Sequence, residues 1–327
     1  MREPTTIAVL ATGGTISAVA DARRRHGGGL SATDLIAGHS SSGTRLRPIE
    51  VHHIPGRAMT PPHMLTLARK VEQAAAECDG IVVLHGTDTL EETVYALAVM
   101  TDVPVPVVVT GAMRLPAQPG DDGPGNLAAA IAVARDPKLA GAGPVVVFGD
   151  EVHLARWVTK AHTSRPAAFA SPDGGPAGQI HEGRLLLHRT AHRESDYLGM
   201  PEPGRLAGTR VPLVTVYAGI DGDTVERAAD GAAGLLIAGT GGGHTPPGVA
   251  DTLAGLVTAG TPVVLASRCP SGPLLQDTYG DKGGEGHLRS VGVIPVGHLP
   301  ALKARLRLQI ALALGHTPRK AFPVAPA

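Results

Sequence analysis

Short apolar, β-branched runs recur along the chain at intervals that leave room for one helix between neighbours. Residues 6–11, 49–54, 81–85, 105–110 and 145–148 read as buried strands. Between them, residues 61–76, 91–100 and 125–135 place apolar side chains three and four positions apart, the spacing of one helix face. Pro61-Pro62 suits a helix start, where a missing N–H costs nothing. This alternation predicts an α/β fold built on a mostly parallel sheet flanked by helices.

After Phe148 the pattern loosens into hairpin-like material that lasts to about Leu187. Residues 189–210 are polar and rich in Pro and Gly, and read as a linker. Strands are then expected at 211–217, 234–238, 262–266 and 291–294, with helices at 223–230, 245–259 and 300–314. The expected organisation is a larger N-terminal domain over 1–188, a linker over 189–210 and a smaller α/β domain over 211–327. No internal repeat is visible. A chain of 327 residues has room for two such cores.

Charge narrows the range of partners. The 29 basic residues are balanced by 29 acidic ones, and aromatic content is 2%, so neither a phosphate-binding face nor a base-stacking surface is expected. No apolar stretch is long enough for a membrane helix. Cys78 and Cys269 show no metal spacing and read as packed side chains rather than a disulfide. The opening Met1-Arg2-Glu3-Pro4 leads almost directly into a strand without a signal-like segment, so a cytoplasmic protein is expected. Fifteen histidines are scattered with no metal motif, and neither a metal nor a cofactor is expected.

Candidate chemistry sits where strands end. The first expected strand runs into Thr12-Gly13-Gly14-Thr15, and the third into His85-Gly86-Thr87-Asp88-Thr89. Ligands of open α/β sheets bind at that edge. Thr15 and Thr87 are nucleophiles only with a neighbouring base or cation. Asp88 adjoins Thr87, and Lys160 stands alone in an uncharged stretch where desolvation would let it accept a proton. Amides around Gly14 and Gly86 suit a developing oxyanion, so the set fits acyl transfer from an amide or ester. Plainer roles compete: a tight turn at Gly13-Gly14, a helix cap at Thr87, and a solvated loop at 23–29 that, directly after the Thr15 turn, also suits a lid.

Residues 11–16 (Ala-Thr-Gly-Gly-Thr-Ile) and 85–93 (His-Gly-Thr-Asp-Thr-Leu-Glu-Glu-Thr) together resemble the two signatures of the bacterial-type L-asparaginases, threonine amidohydrolases acting on asparagine and often glutamine. Further likeness lies in 109–114, 122–127, Thr159-Lys160, 267–272 and 303–305, so it covers nearly the whole chain. The resemblance implies a two-domain fold whose C-terminal part is Rossmann-like. It implies Thr15 as the acylated nucleophile, and Thr87, Asp88 and Lys160 as the group that moves the proton and holds the substrate amine. Ala112 would accept from the leaving amide, and Gly14, Gly56 and Gly86 would line the site. It also implies a homodimer or homotetramer with sites at the dimer interface.

The chain departs from that family where substrate is read. Residues 18–30 contain no tyrosine, although the family's lid normally brings one to the nucleophile. The loop that should grip the α-carboxylate reads Pro55-Gly56-Arg57-Ala58, which leaves Arg57 as its charged donor. Residues 241–244, Gly-Gly-Gly-His, offer His244 where asparagines are usual, and Tyr279 lies near the place of a glutamate. The expected activity is hydrolysis of L-asparagine. The alternatives are another amide (glutamine, D-asparagine or an asparaginyl derivative) or a non-catalytic ligand-binding relative.

Overall fold

In a computed structural model, residues 4–18, 29–39, 43–116, 118–189 and 196–323 are described. The chain divides into two compact units between Gly199 and Met200.

The first unit contains β1 (Thr5–Ala11), α1 (Ala32–Ile36), β2 (Thr44–Glu50), α2 (Pro61–Ala75), β3 (Gly80–Leu84), α3 (Leu90–Met100), β4 (Val107–Thr110) and α4 (Gly123–Ala134). It continues with β5 (Val145–Phe148), β6 (Glu151–Leu154), β7 (Thr159–Lys160), β8 (Phe169–Ala170), β9 (Gly178–His181) and β10 (Arg184–Leu187). Eight strands form one mixed sheet in the order β10-β9-β6-β5-β4-β3-β1-β2. β5, β4, β3, β1 and β2 run parallel, while β6, β9 and β10 extend the sheet antiparallel. On one face Ile7, Val9, Val82, Leu84 and Val108 pack with Leu127, Ala130, Ile131 and Ala134 of α4. The alternate residues Ala8, Leu10, Ile81 and Val83 are equally buried, and α2 and α3 pack on β3 and β4. Burial on both faces explains why these strands read as unbroken apolar runs.

β2 corrects the sequence reading of a strand at 49–54, because pairing ends at Glu50. As an outer strand it pairs only with β1, so it needs no continuous apolar run and tolerates Pro48. The apolar residues that follow belong to a loop whose amides at Val51 and Ile54 donate to Ala11 O and Thr12 O.

The second unit contains α5 (Pro203–Gly208), β11 (Leu213–Thr215), α6 (Gly222–Ala229), β12 (Leu235–Gly239), α7 (Pro247–Thr258), β13 (Val263–Ser267), α8 (Glu285–Ser290), β14 (Ile294–Pro295), α9 (Ala301–Ala313) and α10 (Pro318–Ala321). Its parallel sheet follows chain order, β11-β12-β13-β14, with α9 along β11, β12 and β13. The strand read at 291–294 shrinks to Ile294–Pro295, because α8 and its C-cap at Val291 take the preceding residues. Where it is described, segment 189–210 is not a loose tether. Leu198 and Gly199 donate to Val99 O at the end of α3, and Asp196 accepts from Tyr95 and Arg156. Beyond the division, Gln309 of α9 donates to Thr209 O just after α5. No helix among the described residues is long and apolar enough to cross a membrane.

Candidate active site

The parallel part of the first sheet reads β2-β1-β3-β4-β5, so the chain steps to one side of β1 and then to the other. That reversal leaves a crevice beyond the carboxyl ends of β1 and β3. Thr15 follows β1 and Thr87 follows β3, so the two hydroxyls flank the switch point. The second sheet has no such reversal, and topology therefore puts the chemistry in the first unit.

Glycine makes the two turns adjacent. Gly14 has φ of +91°, and a Cβ there would lie 2.4 Å from Gly86 Cα. A Cβ on Gly86 would in turn lie 2.7 Å from Gly56 Cα. Backbone thus packs on backbone at three loops, and no larger residue fits without moving one of them. Thr89 Oγ1 donates to Gly56 O at 2.8 Å, which ties the third loop to the second.

Thr87 does not cap the following helix. The N-cap of α3 is Thr89, and it makes no capping bond with its side chain. The Thr87 hydroxyl instead accepts from Lys160 Nζ at 3.0 Å, and the same ammonium donates to Asp88 Oδ1 at 3.1 Å. Thr87 is buried, the Lys160 side chain is 17% exposed and that of Asp88 53%, so the cation is held inside with its carboxylate facing water. Lys160 is delivered by a short ribbon in which β7 pairs with β8. Phe169 of that ribbon stacks on Phe148 at the end of β5, with ring centroids 4.8 Å apart.

Around this group, the amides of Thr15, Thr87 and Asp88 make no hydrogen bond within the chain among the described residues. Behind it, His85 is fully buried and its Nδ1 lies 2.7 Å from Gly86 O. A carbonyl only accepts, so Nδ1 carries the proton. Burial pushes this imidazole down to about 4, so it is neutral near pH 7.

The remaining sequence-derived candidates fall at varying distances from this centre. Gly56 is buried against Gly86, whereas Arg57 beside it is exposed on a short 3-10 turn. Ala112 is completely buried beside the start of α4. Residues 19–28, which hold the expected lid and its arginines, lie outside the described residues. The stem of that loop is closed by a bridge between Ala18 and Gly29 and by Leu30 N donating to Ser17 O. His244 belongs to the second unit, at the end of the loop after β12. Its Nε2 lies 3.1 Å from Glu285 Oε2 and its ring meets Tyr279 edge-on. Burial alone would raise the Glu285 carboxyl. Amide donors at Tyr279 and Thr278, together with His244, hold it below the usual glutamate value. Both cysteines are unpaired.

Sequence reasoning passed over Glu285, and gave no role to Asp122 and Asn126 at the start of α4 although it read 122–127 as a family-like segment. Asp122 accepts from the amides of Met113 and Arg114, and Asn126 donates to Gly111 O. The i, i+4 spacing of two polar residues flanking Gly123-Pro124-Gly125 at a helix start was the signal available for that pair.

Residues 6–193 match the family model "Asparaginase, N-terminal", and residues 210–321 match "Glutaminase/Asparaginase C-terminal domain". The chain belongs to the asparaginase family. It is 39% identical to a probable L-asparaginase of Deinococcus radiodurans over 94% of this chain and 93% of that one. It is 34% identical to L-asparaginase 2 of Escherichia coli, over 96% and 90% of the two chains. A glutaminase-asparaginase of Pseudomonas aeruginosa is 31% identical, over 81% and 76%. The family's two-domain α/β fold is the one described above.

Proposed function

We propose that the protein hydrolyses the side-chain amide of L-asparagine to aspartate and ammonia through an acyl-enzyme on Thr15. The observation that carries this reading is the Lys160 ammonium held between Thr87 Oγ1 and Asp88 Oδ1, one residue beyond the Gly14–Gly86 contact. Membership of the asparaginase family and the names of the relatives support the substrate.

In this reading Thr15 Oγ1 bonds to the amide carbon, and its proton leaves toward the leaving nitrogen. The unpaired amides of Thr15 and Thr87 stabilise the oxyanion. The C–N bond breaks and ammonia departs. Water, giving its proton to the Thr87–Lys160–Asp88 group, then attacks the acyl carbon to release aspartate and restore Thr15. Lys160 gives a proton to the departing ammonia, which leaves as ammonium. It then takes the water's proton, passes it to Thr15 Oγ1 as the ester bond breaks, and is recharged by the product's carboxylic acid, with the Asp88 carboxylate beside it compensating the charge. Gly14, Gly56 and Gly86 shape the floor, Ala112 O takes a leaving-group N–H, Arg57 reads the α-carboxylate, and His244 reads the substrate from a second copy in a dimer or tetramer.

The test is ammonia release over L- and D-asparagine, glutamine and small asparaginyl amides, with Thr15→Ala alongside. L-Asparagine should be turned over fastest, and the Ala variant should be folded and inactive. An Ala variant that releases ammonia at the wild-type rate removes Thr15 as nucleophile. The relative named glutaminase-asparaginase favours glutamine as second substrate, and a glutamine rate above that of asparagine would put it first.

A further inference from the structure

One buried amide side chain hydrogen-bonds backbone that lies near each half of the proton-handling group without touching that group. Asn126 is almost fully buried on α4. Its Nδ2 donates to Gly111 O at 3.0 Å and to Asp122 Oδ2 at 3.1 Å, and its Oδ1 accepts from Gly149 N at 3.2 Å. Every bonding group of the side chain that lies near protein is therefore engaged, an arrangement that is rigid when complete and costly when broken.

Its two outer contacts lead in different directions. Gly111 follows β4, and a Cβ built there would lie 3.5 Å from Thr87 Cγ2, so the loop backbone passes within about one methyl's width of the Thr87 methyl. Threonine is stiff at χ1, and fixing its methyl fixes where its hydroxyl points. Gly149 lies in the turn between β5 and β6, and a Cβ there would lie 3.4 Å from Ala167 Cα in the ribbon that carries Lys160. The residue before it, Phe148, stacks on Phe169, the strand partner of Lys160. One side chain thus registers the backbone near Thr87 against the base of the Lys160 ribbon.

We propose that Asn126 is a positioning residue which sets the Thr87–Lys160 separation and thereby tunes proton transfer in the reaction proposed above. It touches no substrate. A shift of tenths of an ångström between Gly111 and Gly149 would lengthen the 3.0 Å bond from Lys160 to Thr87 while leaving the Thr15 turn, which Asn126 does not contact, in place.

A double-mutant cycle in the full chain tests this. Asn126→Asp keeps the acceptor for Gly149 N, replaces the amide that donates to Gly111 O and Asp122 Oδ2, and sets a second carboxyl beside Asp122. Its kcat for asparagine should fall about ten- to a hundredfold, the consequence of losing a buried hydrogen bond next to a charged group, with KM changed less than about threefold. In a Lys160→Met background the same change should cost less than about twofold more, because the geometry it sets no longer has a user. Losses that multiply in the double variant, a KM rise as large as the kcat fall, or an unchanged kcat would each overturn the proposal. If Asn126→Asp does not fold, Asn126→Leu, similar in volume but without polar atoms, runs through the same cycle. Failure of the underlying reading looks different: Lys160→Met alone would then be nearly harmless.

Discussion

Acidification from pH 7 to pH 5 should weaken the first unit through one residue, His85. The imidazole is fully buried, its Nδ1–H is spent on Gly86 O, and no partner among the described residues faces Nε2. Burial holds it at about 4 against an ordinary 6.5. A depressed histidine contributes stability that is intact above 6.5 and is lost as the unfolded chain takes up a proton that the folded chain refuses. At pH 5 the unfolded residue is almost fully protonated and the buried one about one-tenth, so the loss is about 2 kcal/mol, reaching about 3 kcal/mol at pH 4. Urea unfolding followed by the fluorescence of Trp157, the single tryptophan and a member of the same unit, measures it. His85→Asn supplies the comparison, since its amide can donate to Gly86 O and does not titrate. Wild type should lose about 2 kcal/mol more than the variant between pH 7 and 5. His52, which burial also depresses, is present in both proteins and cancels. Glu285, held below the usual glutamate value, is likewise present in both proteins and cancels. Equal losses in the two proteins would refute the assignment.

Lys160→Met and Thr87→Val should each lower kcat by about 10²–10⁴, the range of a lost general base, and losses below tenfold in both by steady-state ammonia release would remove the group from the mechanism. Arg57→Ala should raise KM for asparagine about ten- to a hundredfold if the exposed guanidinium closes on the α-carboxylate. Amides with a blocked carboxylate serve as the control, and an unchanged KM would leave Arg57 a surface residue.

Much of the first unit could be read from the chain because its central strands are buried on both faces and therefore announce themselves as apolar runs. β2 escaped because only one neighbour pairs with it. α8 escaped because six residues are too few to show a period. At the site, Thr15, Thr87 and Asp88 were legible as hydroxyls and a charge at strand ends and Lys160 as a lone cation in an uncharged stretch, and the structure brings the last three into direct contact. Asn126 and Glu285 were not, since each acts through a partner more than twenty residues away or through backbone amides that sequence does not display. Ala112 shows the opposite limit: its place in a motif could be read, but its complete burial could not.

The contact among Gly14, Gly56 and Gly86 also sets when reactivity can arise during folding. The three residues are distant in sequence and meet only after β1, β2 and β3 have all paired, each closure costing chain entropy before any contact repays it. A chain that has joined β1 to β3 but not yet β2 already owns both threonines. It lacks the Gly56 loop that braces the Gly86 turn, so the turn carrying Thr87 is missing one of its supports. The hydroxyls of the proposed mechanism are therefore present in such a chain before the turn that carries one of them is fully braced, which ties any activity to completion of the sheet at β2.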